Sequence, residues 1–242
     1  MIKFAILGHK GRMGQALASA IEEAGHEFCV GVDQGGDPRP VIGQCEVAVD
    51  FSAPSGLIAN VAAAKEAGIP ILIGTTGLEA EHFAAIEDAA KSIPVLQTGN
   101  TSLGVTLLAS LVREAASKLG PDWDIEIVEM HHRGKVDAPS GTAKLLGAAA
   151  AAGRGVDLEE AREAGRDGIT GARKSGAIGF AALRGGTVTG EHSVILAGEQ
   201  ERLVLSHSAE DRMIFARGAV KGAAWLIGQR AGCYTMEDVL GL

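Results

Sequence analysis

The chain has 242 residues, with 22 Lys and Arg against 30 Asp and Glu, a formal net charge of −8, and 46% hydrophobic and 21% charged residues. That balance excludes a disordered chain and argues against nucleic acid as a partner, because phosphate binding needs a basic surface. No apolar run approaches the roughly 20 residues of a membrane span, and no signal-peptide core precedes Gly8, so no membrane partner and a cytoplasmic location are expected.

Residues 2–7 form a short, nearly all-apolar run ending at Gly8, the pattern of a strand buried on both faces of a parallel sheet. The turn Gly8-His9-Lys10-Gly11-Arg12-Met13-Gly14 follows at once. Met13, Leu17, Ala20, Ile21 and Ala24 keep helical spacing until Gly25, and residues 27–32 read as a second strand closing on Asp33. Strand, glycine turn, helix, strand and acid is the order of a dinucleotide-binding βαβ unit, here with G-x-x-G-x-x-G in place of G-x-G-x-x-G. The cofactor candidates are therefore Gly8, His9, Lys10, Gly11, Arg12, Met13 and Asp33, the last placed for a ribose 2′-hydroxyl. Gln34 follows, so no arginine waits for a 2′-phosphate, and NADH is the expected cofactor; Lys10 and Arg12 keep NADPH admissible.

Residues 35–40 are a loop by composition. A strand at 47–51, a helix at 55–68, a strand at 69–73 and a helix at 79–92 continue the alternation of a doubly wound parallel sheet. Ligands bind such sheets at the C-terminal ends of strands. There the chain carries Asp50-Phe51-Ser52-Ala53-Pro54, Gly74-Thr75-Thr76-Gly77 and Thr98-Gly99-Asn100-Thr101-Ser102. Gly74, Thr75, Thr76, Thr98, Gly99, Asn100 and Thr101 join the cofactor candidates, although each segment also fits plain turn chemistry. The cysteines, Cys29, Cys45 and Cys233, lack CxxC spacing and read as buried thiols in a reducing compartment.

Residues 103–119 have helical spacing, and residues 123–130 alternate as a strand that delivers a chemically dense stretch, residues 129–144. His131 exchanges protons near neutral pH, and Lys135 is a compact cation whose pKa falls on burial; either can act as a general acid. Pro139-Ser140-Gly141-Thr142 reads as a helix start, whose first N–H groups bind a carboxylate or phosphate. A proton donor beside an anion cradle predicts an acidic substrate that is protonated during turnover. The competing reading is a strand end, an ordinary cap and a solvated Lys135–Asp137 pair worth about 0–1 kcal/mol. No metal site is expected: adjacent His131 and His132 point to opposite faces of a strand, and no cysteine has ligand spacing.

An alanine-rich helix follows over residues 143–152. Residues 153–176 lack apolar periodicity and are predicted to be a mobile or interface loop with solvated charges. Strands at 177–183, 187–197 and 202–208 predict an antiparallel or mixed sheet, and a helix at 212–228 is expected to pack back on the nucleotide domain. The expected architecture is α/β: a Rossmann-type doubly wound parallel sheet, residues 1–102 plus 213–242, with an inserted α+β substrate-binding and oligomerisation domain, residues 103–212.

Several motifs carry a resemblance that runs through nearly the whole chain. They are Gly8-x-x-Gly11-Arg12-Met13-Gly14, Asp50-Phe51-Ser52-x-Pro54, Gly74-Thr75-Thr76-Gly77, Asn100-x-Ser102-x-Gly104 and the highly specific Glu129-x-His131-His132-x-x-Lys135-x-Asp137-Ala138-Pro139-Ser140-Gly141-Thr142-Ala143. Ile178-Gly179-Phe180, Arg184-Gly185-Gly186, Gly190-Glu191-His192-Ser193 and Phe215-Ala216-Arg217-Gly218-Ala219 continue it. The sequence resembles the 4-hydroxy-tetrahydrodipicolinate reductase family of diaminopimelate and lysine biosynthesis.

The resemblance implies an NAD(P)H-dependent reductase acting on a small dicarboxylate, and a homotetramer assembled through a shared sheet. His131 matches the family's catalytic histidine and Lys135 its proton donor, while His132, Lys135, Ser140, Gly141 and Thr142 match the groups that hold the two carboxylates. The segment between Asp33 and Val47 is shorter than in many members, and Gln34 stands where some carry a basic residue. The rival readings are another two-domain NAD(P) oxidoreductase and a non-catalytic nucleotide sensor. An intact proton donor at a dicarboxylate site argues against the sensor.

Overall fold

The computed structural model describes residues 1–242. Along the chain come β1 (Lys3–Leu7), α1 (Arg12–Glu23), β2 (Glu27–Val32), α2 (Arg39–Ile42), β3 (Val47–Asp50), α3 (Pro54–Ala67), β4 (Ile71–Ile73), α4 (Ala80–Ala90) and β5 (Pro94–Gln97). Next are α5 (Leu103–Leu119), β6 (Asp124–His131), α6 (Gly141–Arg154), α7 (Leu158–Ala161), β7 (Arg162–Ala164), β8 (Ile178–Arg184), β9 (Gly190–Gly198) and β10 (Glu201–Ala209). The chain ends with α8 (Met213–Leu226), β11 (Gly232–Tyr234) and α9 (Met236–Leu240). It divides into two units, Met1–Leu103 with Arg212–Leu242, and Gly104–Asp211.

In the first unit, six parallel strands lie in the order β11-β5-β4-β3-β1-β2. β1 buries Phe4, Ala5, Ile6 and Leu7 because helices cover both faces of this sheet. Side-chain alternation sends Phe4 and Ile6 into one core, with Leu17, Ile21, Ala219 and Leu226 of α1 and α8. Ala5 and Leu7 enter the other, with Leu57, Val61, Ile86 and Ala89 of α3 and α4. The final long helix thus packs on the nucleotide unit, as the sequence predicts. Growth of the sheet reverses between β1 and β3, so the C-terminal ends of these two strands form the switch point at which open parallel sheets bind ligands.

Five short elements have no counterpart among those expected from the sequence, namely α2, which falls partly in the expected loop at 35–40, α7, β7, β11 and α9, while β5 is expected only through the strand end at Thr98. None is long enough to display a period. Cys45 is buried and Cys29 half-buried, but Cys233 is exposed on β11, contrary to the expectation of three buried thiols; all three are free.

In the second unit, five strands lie in the order β10-β9-β6-β8-β7, with β10, β9 and β6 antiparallel and β6, β8 and β7 parallel. α5 and α6 cover one face, packing Leu108, Val112, Ala143 and Leu146 against Ile125, Ile127, Ile178 and Val194. Alternate residues of β6 are buried. Glu129 and His131 share the parity of Ile125 and Ile127, so the strand carries them on its helix-covered side to its C-terminal end.

The stretch at 153–176 is the loop expected only over residues 165–176, most of which are exposed. It forms α7 and the edge strand β7, and its arginines clamp the sheet: Arg166 binds Glu126 (2.9 Å) and Glu163 (2.7 Å), and Arg173 binds Asp124 (2.7 Å) and Glu126 (2.8 Å). A three-residue strand held by ion pairs leaves no hydrophobic period to read. No helix of the chain is long and apolar enough to cross a membrane.

Candidate active site

The turn after β1 closes on itself. The Gly8 N–H donates to the Val32 carbonyl (2.7 Å) and the Gly11 N–H to the Gly8 carbonyl (3.1 Å). Gly8 adopts φ +89°, and a Cβ on Gly14 would fall 2.3 Å from the Gly8 oxygen, so both positions require glycine. α1 starts with Gly11 as its N-cap and no side chain on its first N–H groups. That leaves a donor cluster, flanked by the exposed Lys10 and Arg12, which fits the pyrophosphate of a dinucleotide.

Asp33 is drawn to this turn. Its Oδ1 accepts the Lys10 N–H (2.9 Å), and its Oδ2 lies 2.5 Å from His9 Nδ1. The His9 ring lies over Gly31, where a Cβ would fall 2.4 Å from it. Met13 is half-buried and Gln34 exposed.

At the end of β3, the fully buried Asp50 gathers the neighbouring turns. It accepts the Ser52 N–H (3.1 Å) and hydroxyl (2.9 Å), the Asn60 amide (2.7 Å) and the Thr75 hydroxyl (2.5 Å). Thr75 therefore turns inward while Thr76 is exposed, and Gly74 lies against the Phe51 ring. The Thr98 hydroxyl donates to the Asn100 carbonyl (2.8 Å) and accepts its N–H (3.1 Å), while the Thr101 hydroxyl donates to the Phe215 carbonyl (2.7 Å). Gly99 is exposed between them. The side chains of Thr75, Thr98 and Thr101 thus bind protein atoms, and Asp50, absent from the sequence-derived cofactor set, organises two of the three strand-end turns.

In the second unit, the carboxylate of Glu129 is 1% exposed and makes four hydrogen bonds. Oε2 accepts from Arg184 Nη1 (2.8 Å) and pairs with His131 Nδ1 (2.6 Å); Oε1 accepts from Arg184 Nη2 (2.9 Å) and the Ser140 N–H (3.1 Å). Burial alone would raise the Glu129 pKa. The hydrogen bonds from Arg184, His131 and Ser140 outweigh that cost and hold it below the ordinary glutamate value.

Ser140 is the N-cap of α6, its Oγ accepting the Ala143 N–H (3.1 Å) as the sequence predicts. The same Oγ lies 2.8 Å from His192 Nε2, and the His192 ring meets His131 edge-on at 5.1 Å. Desolvation and the neighbouring His131 charge push the His192 pKa down to about 4, so this imidazole is neutral at physiological pH. Gly141 opens the helix at the surface and Thr142 follows, half-buried.

The loop between β6 and α6 carries the remaining candidates. Lys135 Nζ pairs with Asp137 Oδ1 (2.9 Å), which lowers the Asp137 pKa. His132 is half-buried, and its carbonyl accepts the Lys135 N–H (3.1 Å). Arg184 Nη2 donates to the Asp137 carbonyl (2.6 Å) as well as to Glu129, so one guanidinium holds the strand end and this loop together. Arg184 and His192 were legible only as members of motifs, Arg184-Gly185-Gly186 and Gly190-Glu191-His192-Ser193, without a role for either.

Residues 2–101 match the family model described as dihydrodipicolinate reductase, N-terminus, and residues 104–240 the one described as dihydrodipicolinate reductase, C-terminus. The chain is 50% identical to the 4-hydroxy-tetrahydrodipicolinate reductase of Rhodopseudomonas palustris (strain HaA2), over 100% of its own length and 98% of that protein. It is 51% identical to the 4-hydroxy-tetrahydrodipicolinate reductase of Zymomonas mobilis subsp. mobilis, with the same two coverages. Its fold is similar to that of a dipicolinate-bound dihydrodipicolinate reductase from Paenisporosarcina sp. TG-14, with a TM-score of 0.76 at 22% identity over 97% of each chain. With matches to both halves that together span almost every residue, the chain belongs to the dihydrodipicolinate reductase family, now termed 4-hydroxy-tetrahydrodipicolinate reductase.

Proposed function

We propose that this chain reduces 4-hydroxy-tetrahydrodipicolinate, or the dihydrodipicolinate formed by its dehydration, to tetrahydrodipicolinate in diaminopimelate and lysine biosynthesis in the cytoplasm. The observation that carries the reading is the shared carboxylate of Glu129, which joins buried His131 to Ser140 at the N-cap of α6. A dicarboxylate imine or enamine needs both: a cradle for its negative groups and an acid beside the ring.

Gly8, His9, Lys10, Gly11, Arg12 and Met13 surround the pyrophosphate position, and Asp33 faces the ribose. The segments with Gly74, Thr75 and Thr76 and with Thr98, Gly99, Asn100 and Thr101 form the strand-end floor. A bound reduced nicotinamide supplies the hydride. His131 or Lys135 delivers the proton to the adjoining ring position, a contribution of about 10² to 10⁴-fold for a placed general acid. His132, Lys135, Gly141 and Thr142 bind the carboxylates; Ser140 serves the same cradle as its cap, because its hydroxyl is already engaged by Ala143 and His192.

NADH is the preferred cofactor in this reading, with NADPH accepted less well. Asp33 would repel a 2′-phosphate, and exposed Gln34 offers no cation to offset that repulsion. The chain assembles as a homotetramer through the helix-free face of the second sheet, where Val128, Met130, Ala181, Leu183, Ile195 and Val204 lie on neighbouring strands and Leu183 and Val204 are 50% and 52% exposed.

Calorimetric titration with dipicolinate in the presence of NADH tests the substrate class. Saturable binding that weakens at least about tenfold in Lys135→Ala is expected. Absence of binding by the folded wild-type protein would reject a dicarboxylate substrate.

A further inference from the structure

We infer that Glu129, clamped by Arg184, is a positioning residue that fixes His131 in the Nδ1–H form, so that this histidine exchanges its proton only through Nε2, the ring nitrogen that faces Gly190. The inference deepens the reductase reading and rests on it only for the use to which the proton is put.

The acceptor count at Glu129 decides the tautomer. An ionised carboxylate only accepts, and all four partners of Glu129 must donate: two guanidinium N–H groups, the Ser140 N–H and His131 Nδ1. With Arg184 and Ser140 holding Glu129 ionised, a proton on Nδ1 is obligatory. Neutral imidazole in water favours the opposite form, with the proton on Nε2, so the protein imposes the tautomer through this bond. The proton that His131 gains or loses is then the one on Nε2.

Nε2 lies against a glycine. Gly190, which opens β9, is buried against it, and a Cβ built on that glycine would lie 3.0 Å from His131 Nε2. The backbone of Gly190 is not left-handed, so glycine is needed there for space and not for conformation. The same Glu129 carboxylate takes the Ser140 N–H. One side chain therefore fixes the tautomer and orientation of the His131 ring and ties it to the cap of α6.

The groups facing His131 are Glu129 with Arg184 behind it and the neutral His192 edge. Lys135, Asp137 and His207 lie further out, and their charges reach His192 or Arg184. Only Glu129 contacts the ring with a fixed negative charge. Removing that charge removes stabilisation of the imidazolium.

Long-range proton–nitrogen NMR on 15N-histidine-labelled holoenzyme reads the tautomer directly and needs no turnover. The expected result for neutral His131 in the wild type is a protonated Nδ1 and a bare Nε2. In Glu129→Gln, which keeps the shape, kcat is expected to fall about tenfold or more, NADH affinity to stay within about twofold, and the His131 limb of the kcat pH profile to move to lower pH. A wild-type His131 protonated on Nε2, or a Glu129→Gln enzyme with unchanged kcat and pH profile, overturns the inference. Should the variant not fold, the wild-type tautomer decides alone. Failure of the reductase reading would appear differently, as absent turnover with the Nδ1–H signal intact.

Discussion

Arg184 grips both oxygens of the buried Glu129 carboxylate, at 2.8 Å and 2.9 Å, from the strand hydrogen-bonded to that of Glu129. The bidentate geometry compensates a charge that is 1% exposed. Arg184→Met leaves that charge without its main partner, and a loss of about 3 kcal/mol is expected in urea unfolding. A loss under about 1 kcal/mol would make the clamp dispensable.

Gly190 has to remain small. In Gly190→Ala the new methyl presses on His131 Nε2, so kcat should fall roughly tenfold, with the unfolding midpoint little changed. Steady-state kinetics beside a denaturant titration separates the two effects, and full activity with a normal midpoint would remove Gly190 from the site.

His192 makes stability depend on pH in one direction. Its pKa, 6.5 ordinarily, is held down at about 4 by desolvation and the His131 charge. Below pH 6.5 the unfolded chain binds a proton that the folded chain refuses, so stability present above that pH is lost as pH falls toward 4, with a limiting slope of roughly 1.4 kcal/mol per unit. His207, also lowered by desolvation, adds to the same window, whereas the lowered Glu129 carboxyl acts only below its ordinary value of 4.5. Unfolding at pH 7 and pH 5 should therefore differ less in His192→Gln than in the wild type; equal differences would contradict a neutral, buried His192.

Cofactor choice is read at position 34. Gln34→Arg supplies a cation beside Asp33, and the ratio of kcat/KM for NADPH to that for NADH should rise about tenfold. An unchanged ratio would mean that preference is set elsewhere.

The nucleotide unit was legible because its pattern is local. An all-apolar strand, a glycine turn and an amphipathic helix occupy consecutive residues, and Gly8 and Gly14 show by their contacts why no other residue serves. Ser140 was legible as a cap for the same reason. The Arg184–Glu129 clamp was not, since its partners are 55 residues apart and meet only through the parallel pairing of β6 with β8. Thr75 and Thr101 illustrate a second limit: hydroxyls at strand ends are visible in the sequence, but the direction in which each turns depends on a buried Asp50 and a distant Phe215 carbonyl. The stretch at 153–176 illustrates a third, because ion pairs to Asp124 and Glu126 replace the apolar period by which strands are recognised.

The most direct test of the account is loss of reduced-nicotinamide absorbance when the substrate is generated in place from pyruvate and aspartate semialdehyde, for the wild type and Lys135→Ala. The account predicts rapid NADH oxidation by the wild type and a fall of about 10² to 10⁴-fold in kcat for the variant, with NADH affinity retained, because Lys135 lies in the unit that does not carry the glycine turn. No oxidation by a folded wild-type protein that still binds NADH would contradict it.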